Sequence, residues 1–217
     1  MTLSINRTKL ITSIILTVSC CISGARAGTY EELLGAIGSN DILEAEKLFA
    51  RGIDVNTADS GGNTLLIIAV RQEFTEMVRR LLVRRPILDA RNGHGETALM
   101  LAAAKGNMDL VKLLVGHGAK VNVSGWNPLI YAAWSGRTEV VKYLLDHGAQ
   151  IDAVAPSGIS ALMMAARGGH FETVKLLLWE VADPNLRSES GATALGLALK
   201  GRNTEIADLL KQAGAKE

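Results

Sequence analysis

The sequence predicts an all-α solenoid, a row of about six helix-turn-helix repeats joined by short hairpin loops. Within each unit, leucine and valine recur with helical spacing, as at Leu110, Leu113 and Leu114. Neither helix of a unit could bury such an apolar stripe alone, so the units must stack on their neighbours. The repeat is marked by alanines at intervals of 33, 33, 30, 33 and 33 residues: Ala36, Ala69, Ala102, Ala132, Ala165 and Ala198.

The stretch Gly95–Val121 is the clearest copy of the unit. Its segment Thr97–Ala102 reads TALMLA, Thr193–Ala198 reads TALGLA, and Asn127–Leu129 contains a Pro-Leu pair. Together with the 33-residue period, these segments resemble the ankyrin repeat, whose signature is T-P-L-H-x-A. The resemblance extends over residues 29–216 and implies a concave binding face made from hairpin tips and first helices.

We predict two parts in the chain: a signal peptide, residues 1–27, and a repeat domain, residues 28–217. The first unit departs from the pattern, and its polar Glu31, Glu32 and Asn40 suit an N-terminal cap that no neighbour covers. The last unit is expected to be the C-terminal cap. The predicted units are approximately 29–59, 60–92, 93–124, 125–155, 156–187 and 188–217.

Glycines mark two turns in the unit. Gly106, Gly136 and Gly169 are predicted at the turn between the two helices, where a positive φ is often needed. Arg85 and Val181 replace the glycine that ends the second helix elsewhere, so those two ends are either strained or terminate differently. The glycines expected to end the other second helices are Gly52, Gly118, Gly148 and Gly214.

The N-terminus has the organisation of a secretory signal peptide. Arg7 and Lys9 precede an apolar run, Leu10–Ile22, and the small-residue triplet Ala25–Ala27 follows it. The run is about 13 residues, shorter than the roughly 20 needed for a stable membrane span. We expect cleavage after residue 27 and a periplasmic or secreted mature chain. The alternative is a lipoprotein acylated at one of the two cysteines, Cys20 or Cys21.

Charge and cysteine content restrict the chemistry of the mature chain. The leader contains three of the 23 basic residues and none of the 22 acidic ones, so cleavage changes the formal net charge from +1 to −2. Such a balance gives no reason to expect nucleic acid as a partner. Both cysteines lie in the leader, so the mature chain has no thiolate nucleophile and no disulfide.

The sequence predicts neither catalysis nor a cofactor or metal. It contains no nucleophile elbow, Walker loop, dinucleotide fingerprint or His-Glu-x-x-His helix. His117 and His147 occupy equivalent places in successive units, which helix packing keeps about 10 Å apart, too far to share a metal. An acid recurs near the first turn of the second helix in units 2 to 6, where it opposes the positive helix end. These acids are Glu76, Asp109, Glu139, Glu172 and Glu205.

One position near the end of the first helix is the main candidate for recognition. It is basic in three units, at Arg71, Arg167 and Lys200, and an indole in one, at Trp134. Trp and Arg are enriched at binding hot spots, although solvated charges and a tryptophan lying over its neighbours would explain the pattern equally well. The predicted partner-binding set on the concave face is Arg71, His94, Glu96, Lys105, Trp126, Trp134, Ser135, Arg167 and Lys200.

The 30-residue interval comes from one short hairpin. Asn122 to Asn127 spans five steps, whereas the equivalent hairpins span eight. Trp126 lies in the shortened loop with Trp134 one helix away, so the sequence suggests a notch walled by indoles. A neutral loop deletion is the alternative reading, because exposed loops tolerate length changes well.

The resemblance to exported bacterial ankyrin repeat proteins implies a non-enzymatic scaffold that binds a partner protein in the periplasm, protecting or inhibiting it. We expect a monomer, no nucleic-acid partner and no stable membrane span in the mature chain. Two alternatives remain at this point: a secreted effector that binds a host protein, and a hydrolase with a site in the groove.

Overall fold

The computed structural model describes residues 29–216 and contains twelve helices in that range, arranged as six consecutive hairpins that we call units 1 to 6. The predicted all-α solenoid is confirmed. The predicted signal peptide lies outside the described residues, and within them no helix is long and apolar enough to cross a bilayer. The helices are α1 (29–38), α2 (Ile42–Ala50), α3 (Leu65–Arg71), α4 (Thr75–Val83), α5 (Ala98–Lys105), α6 (Met108–Gly116), α7 (Pro128–Trp134), α8 (Thr138–Asp146), α9 (Ala161–Gly168), α10 (Phe171–Trp179), α11 (Ala194–Lys200) and α12 (Thr204–Gln212).

Each first helix of units 2 to 6 begins at a buried polar residue that caps it. The side-chain oxygen accepts a hydrogen bond from the backbone N–H three residues later, at 2.9–3.3 Å. The cap satisfies a backbone donor that the helix itself leaves without a partner. This explains the threonine of the TALMLA segment, because a buried hydroxyl needs such a partner. The five caps are Thr64, Thr97, Asn127, Ser160 and Thr193.

The core is a column of equivalent side chains that runs through all six units. The recurring alanines that mark the repeat are all buried, and so is one leucine at the same position of every second helix. Alanine lets neighbouring first helices approach closely, and these helices pack against one another more extensively than the second helices do. The row of first helices therefore forms the inner, concave side of the solenoid. The leucine column is Leu48, Leu81, Leu114, Leu144, Leu177 and Leu210.

A series of equivalent hydrogen bonds, which we call the hydrogen-bond ladder, connects the loop after each of units 1 to 5 to the next unit. An Asn or Asp side-chain oxygen accepts a backbone N–H from the following unit at 2.8–3.0 Å, five times in succession. Amide and carboxylate oxygens serve equally as acceptors, which is why the position alternates between the two residue types. The acceptors are Asn56, Asp89, Asn122, Asp152 and Asn185.

The glycine predictions are confirmed. Gly106, Gly136 and Gly169 have φ values of 78°, 65° and 75°, and the glycines that end the second helices are also left-handed. Arg85 and Val181 adopt the same conformation, with φ of 53° and 67°. Of the two alternatives left by the sequence, strain is therefore correct. For a β-branched residue such as Val181, this region is a true outlier.

We expect Val181→Gly to raise the free energy of unfolding by about 0.5–1 kcal/mol, since it removes a left-handed Cβ at a partly offsetting entropic cost. Val181 is 82% exposed, so little apolar burial is lost. Urea unfolding followed by circular dichroism measures the change. Val181→Ala retains the Cβ and should show no gain. A free energy of unfolding below wild type for Val181→Gly would contradict the strain.

Candidate functional site

Arg71 and Glu96, both predicted for the concave face, belong to one polar network. Arg71 Nη2 donates to Asn63 Oδ1 at 2.7 Å and lies 3.9 Å from Glu96 Oε2. Asn92 Nδ2 connects the same two groups, donating to Asn63 Oδ1 at 3.0 Å and to Glu96 Oε2 at 2.9 Å. The guanidinium of Arg71 is thus engaged within the chain, and it offsets the charge of Glu96.

Three aromatic rings, Trp126, Tyr131 and Trp134, form what we call the aromatic row. Tyr131 lies between the indoles and meets both edge to face, with ring centroids 5.9 Å and 6.3 Å apart. Its hydroxyl donates to Glu96 Oε1 at 3.4 Å, which joins the row to the polar network. Burial and the nearby Glu96 carboxylate both raise the pKa of Tyr131, so the phenol stays protonated and remains a donor.

The two indoles of the aromatic row differ in accessibility. Trp126 is half-buried and packs against the core, whereas Trp134 is 53% exposed at the end of α7. Edge-to-face contacts hold an aromatic ring in a defined orientation. Trp134 therefore offers a fixed apolar surface to solvent.

The sequence prediction missed Tyr131, which connects the two tryptophans. The equivalent residues in units 2, 3, 5 and 6 are apolar side chains without a hydroxyl: Ile68, Leu101, Met164 and Leu197. The signal was available, because Tyr131 is the one residue of that set with a polar atom and would need a partner where it is partly buried.

The shortened hairpin leaves a recess of about 440 Å³ beside the next unit. Ser124 and Gly125 line it on one side, Gln150 and Val154 on the other. Neither indole lines it, so this recess is not the notch walled by indoles that the sequence suggested. The physical reason is Tyr131, which lies between the two indoles and holds them in the aromatic row.

The basic residues predicted for the concave face fall into two groups. Lys105 donates to Glu73 Oε1 at 3.0 Å, and Asn107 donates to Glu73 Oε2 at the same distance. These hydrogen bonds, that of Asn107 first, lower the pKa of Glu73. Arg167 and Lys200, in contrast, are exposed, and within residues 29–216 neither side chain forms a hydrogen bond or an ion pair. Among the predicted concave-face residues, the cations Arg71 and Lys105 of units 2 and 3 are thus paired, whereas Arg167 and Lys200 of units 5 and 6 are unpaired within residues 29–216.

The side chains of His94 and Ser135 do not take part in the aromatic row. His94 is exposed at a hairpin tip, where its backbone N–H donates to Asn92 Oδ1 at 3.0 Å. Ser135 follows the last residue of α7, and its backbone N–H closes that helix. Within residues 29–216, no side-chain hydrogen bond joins either residue to the aromatic row. Their place in the binding set stays a prediction.

The other three histidines contact backbone carbonyls. Nδ1 of His117 and of His147 each lies 2.8 Å from the carbonyl oxygen four residues earlier. Nε2 of His170 lies 2.8 Å from the Trp134 carbonyl oxygen and so ties unit 5 to unit 4. Across the described range, no three His, Cys, Asp or Glu side chains come together in a way that could hold a metal.

Stacked helix hairpins with a concave row of exposed aromatic and basic side chains define a repeat scaffold. The family model "Ankyrin repeats (3 copies)" matches residues 33–123 and 84–155, and "Ankyrin repeats (many copies)" matches residues 135–178. Because the first model alone covers more than half of the chain, the protein belongs to the ankyrin repeat family.

The curated relatives match this chain over about half of its length and over a third or less of their own. Zygote-specific protein 3 of Chlamydomonas reinhardtii is 31% identical over 120 residues, 55% of this chain and 32% of that protein. Diacylglycerol kinase zeta of Rattus norvegicus is 39% identical over 93 residues, 42% of this chain and 10% of that protein. Ankyrin repeat and KH domain-containing protein mask of Drosophila melanogaster is 35% identical over 115 residues, 49% of this chain and 3% of that protein.

The chain therefore spans a third or less of these relatives' lengths. Where a relative is an enzyme, as the kinase is, its activity belongs to its other domains. Ankyrin repeat domains are generally non-catalytic protein-interaction modules, and this chain is accordingly a protein-binding scaffold.

The lowered pKa of Glu73 predicts a pH-dependent contribution to stability. The contribution is fully present above the ordinary pKa of 4.5 that applies in the unfolded chain, and it is lost as the pH falls through the lower folded-state pKa. We expect Glu73→Gln to lower the free energy of unfolding at pH 7, with the difference from wild type shrinking toward pH 3. Urea unfolding at a series of pH values measures it.

Lys105→Gln removes one of the two donors to Glu73 and should retain part of the pH dependence. A constant difference between wild type and Glu73→Gln across the whole pH range would show that the carboxylate is not the group responsible.

Proposed function

We propose that this chain is an exported scaffold that binds one partner protein in a bacterial periplasm through its concave face, and so protects or inhibits that partner. The observation that carries the proposal is Trp134, which is 53% exposed on the inner row of helices. Along the inner row, Trp134 lies between the paired first-helix cations of units 2 and 3 and the unpaired Arg167 and Lys200 of units 5 and 6. Tryptophan is enriched among the residues that carry binding energy at interfaces, and its place on the concave face makes Trp134 the candidate anchor.

The aromatic row suits a binding anchor because it is rigid before the partner arrives. Trp134 contacts Tyr131, which in turn contacts Trp126 and Glu96. The exposed indole therefore packs on a ring whose own position is fixed by two further residues. Little rotational entropy is then lost when the indole is covered. Tryptophan side chains of this kind carry a large share of the binding free energy at interfaces.

Solenoid stacking makes the whole concave face rigid before the partner binds, as the aromatic contacts do for Trp134. The leucine column and the hydrogen-bond ladder fix the spacing of successive units. Side chains at equivalent positions are therefore held at a set separation, and the concave face acts as one surface. Binding mainly through pre-positioned side chains requires neither a cofactor nor a reaction step.

Export is the second part of the proposal and is supported by the N-terminal sequence. A basic start, a short apolar run and a small-residue triplet are the three parts of a cleavable leader. The mature chain would begin at Gly28 and contain no cysteine, which suits an oxidising compartment.

We expect Trp134→Ala to reduce capture of the natural partner about tenfold or more, since a hot-spot residue contributes about 2 kcal/mol. The free energy of unfolding should stay near that of wild type, because the indole is largely exposed. The measurement is affinity capture with the tagged full-length chain in its native cells, quantified by mass spectrometry. Trp179→Ala is the matched control, because Trp179 is 83% exposed at the end of a second helix.

Equal capture by wild type, Trp134→Ala and Trp179→Ala would contradict binding through the concave face. Loss of capture in Trp179→Ala alone would place the partner on the opposite side of the solenoid.

For the exported chain, mass spectrometry should find Gly28 at the N-terminus, since cleavage after Ala27 fits the small-residue site. The fraction to analyse is the periplasm. An intact Met1 would contradict export by a cleaved leader. A lipid-modified Cys20 or Cys21 would instead place the chain on a membrane.

A further inference from the structure

We propose that the concave face binds an acidic segment of the partner in one orientation. Carboxylates of the segment lie over Arg167 and Lys200 in units 5 and 6, and an apolar side chain next to them covers Trp134 in unit 4. The inference rests on the proposed concave-face binding and specifies its chemistry. It follows from the uneven pairing of charge along the inner row of helices.

The first step is that units 2 and 3 neutralise their own cations. Arg71 is held by Asn63 and lies 3.9 Å from Glu96, and Lys105 bonds to Glu73 at 3.0 Å. A partner carboxylate at Arg71 would also meet the carboxylate of Glu96, and like charges brought together at an interface are costly. The acidic part of a partner is therefore disfavoured at this end.

The second step is that units 5 and 6 offer cations without partners. Arg167 and Lys200 lie at equivalent positions in the last turn of their helices, both are exposed, and neither side chain has an ionic or hydrogen-bonding partner in the described range. A carboxylate that binds there displaces no existing ion pair. Complementary charge of this kind sets orientation and speeds association.

The third step is spacing. Equivalent positions in stacked helical units lie about 10 Å apart. An extended chain advances about 3.3 Å per residue, so carboxylates about three residues apart can reach Arg167 and Lys200 together. Trp134 occupies the same position one unit earlier, so an apolar side chain about three residues before or after the acidic pair would lie on the indole.

The geometry thus favours an acidic polypeptide over a nucleic acid. A bound nucleic acid would need a continuous series of cations for its phosphates, whereas in units 2 and 3 the cations are already paired and Glu96 adds negative charge. Nucleic acid is accordingly an outcome of the test that would overturn the inference.

Cross-linking of the captured complex tests the acidic segment directly. A zero-length carbodiimide joins an amine to a carboxylate only where the two groups touch. With the full-length chain and its captured partner, we expect Lys200 to couple to a partner Asp or Glu. Lys105 should couple within the chain to Glu73, which serves as the internal positive control because the two groups are 3.0 Å apart.

Two variants sharpen the cross-linking result. Lys200→Gln should lose the cross-link, and Arg167→Lys should gain a second one, to a partner carboxylate about three residues from the first. Retention of the complex without any cross-link at Lys200 or at the Arg167→Lys position would overturn the inference. Sensitivity of the captured complex to nuclease would also overturn it.

Affinity measurements with the captured partner test the charge contribution. We expect the Arg167→Glu, Lys200→Glu double variant to bind about tenfold or more weakly. The Arg167→Gln, Lys200→Gln double variant should show a shallower dependence of affinity on salt than wild type. The matched control is Lys175→Glu on α10, an exposed second-helix lysine without an ion pair in residues 29–216.

The two proposals fail in different ways. If Trp134→Ala captures as much partner as wild type, binding through the concave face is wrong. If Trp134→Ala loses capture while the charge-reversed double variant binds like wild type with unchanged salt dependence, concave-face binding stands and the acidic segment is wrong. Unfolding curves for each variant identify any loss of binding that comes from loss of fold.

Discussion

Nearest-neighbour stacking is the interaction on which the rest of this structure depends. Each helix hairpin has an apolar face that only the adjacent hairpin can cover, and one leucine in every second helix contributes to a column through all six units. Because alanine lines the first helices, those helices lie closer together than the second helices. Curvature, and with it a concave face, follows from this difference in side-chain size between the two helices.

Polar side chains fix two features of the solenoid that apolar packing alone does not specify. Buried caps such as Thr97 and Ser160 fix where each first helix begins, and the Asn/Asp ladder fixes the distance from one hairpin to the next. Stability is then close to a sum of local terms. A strained position such as Val181 is tolerated because its own unit and its neighbours hold the backbone in place.

Function in such a scaffold depends on departures from the repeat. The aromatic row lies in the unit with the shortened hairpin, and the unpaired Arg167 and Lys200 lie in the two units that follow it. Units 2 and 3 contain cations at comparable positions but neutralise them internally. A periodic fold thus presents a surface that differs from one end to the other, which is what recognition of a partner in one orientation requires.

The sequence by itself determined the fold class, the repeat period and the left-handed turns at Gly106 and Gly169. All of these depend on local backbone preference or on periodic burial, which the order of residues encodes directly. It also identified Arg71, Trp134 and Arg167 as equivalent residues, because equivalent positions in a repeat array are found by counting from the recurring alanine of each unit.

Only the tertiary structure decided what those equivalent residues do. Arg71 and Lys105 are paired with acids from another unit, whereas Arg167 is not, and Tyr131 separates the two indoles. The two ion pairs join residues 25 and 32 positions apart through long, flexible side chains, and their geometry depends on how the units stack. The physical reason is that local preferences set the backbone, whereas the pairing of charges is set by distances between units and the packing of the rings by their side-chain conformations.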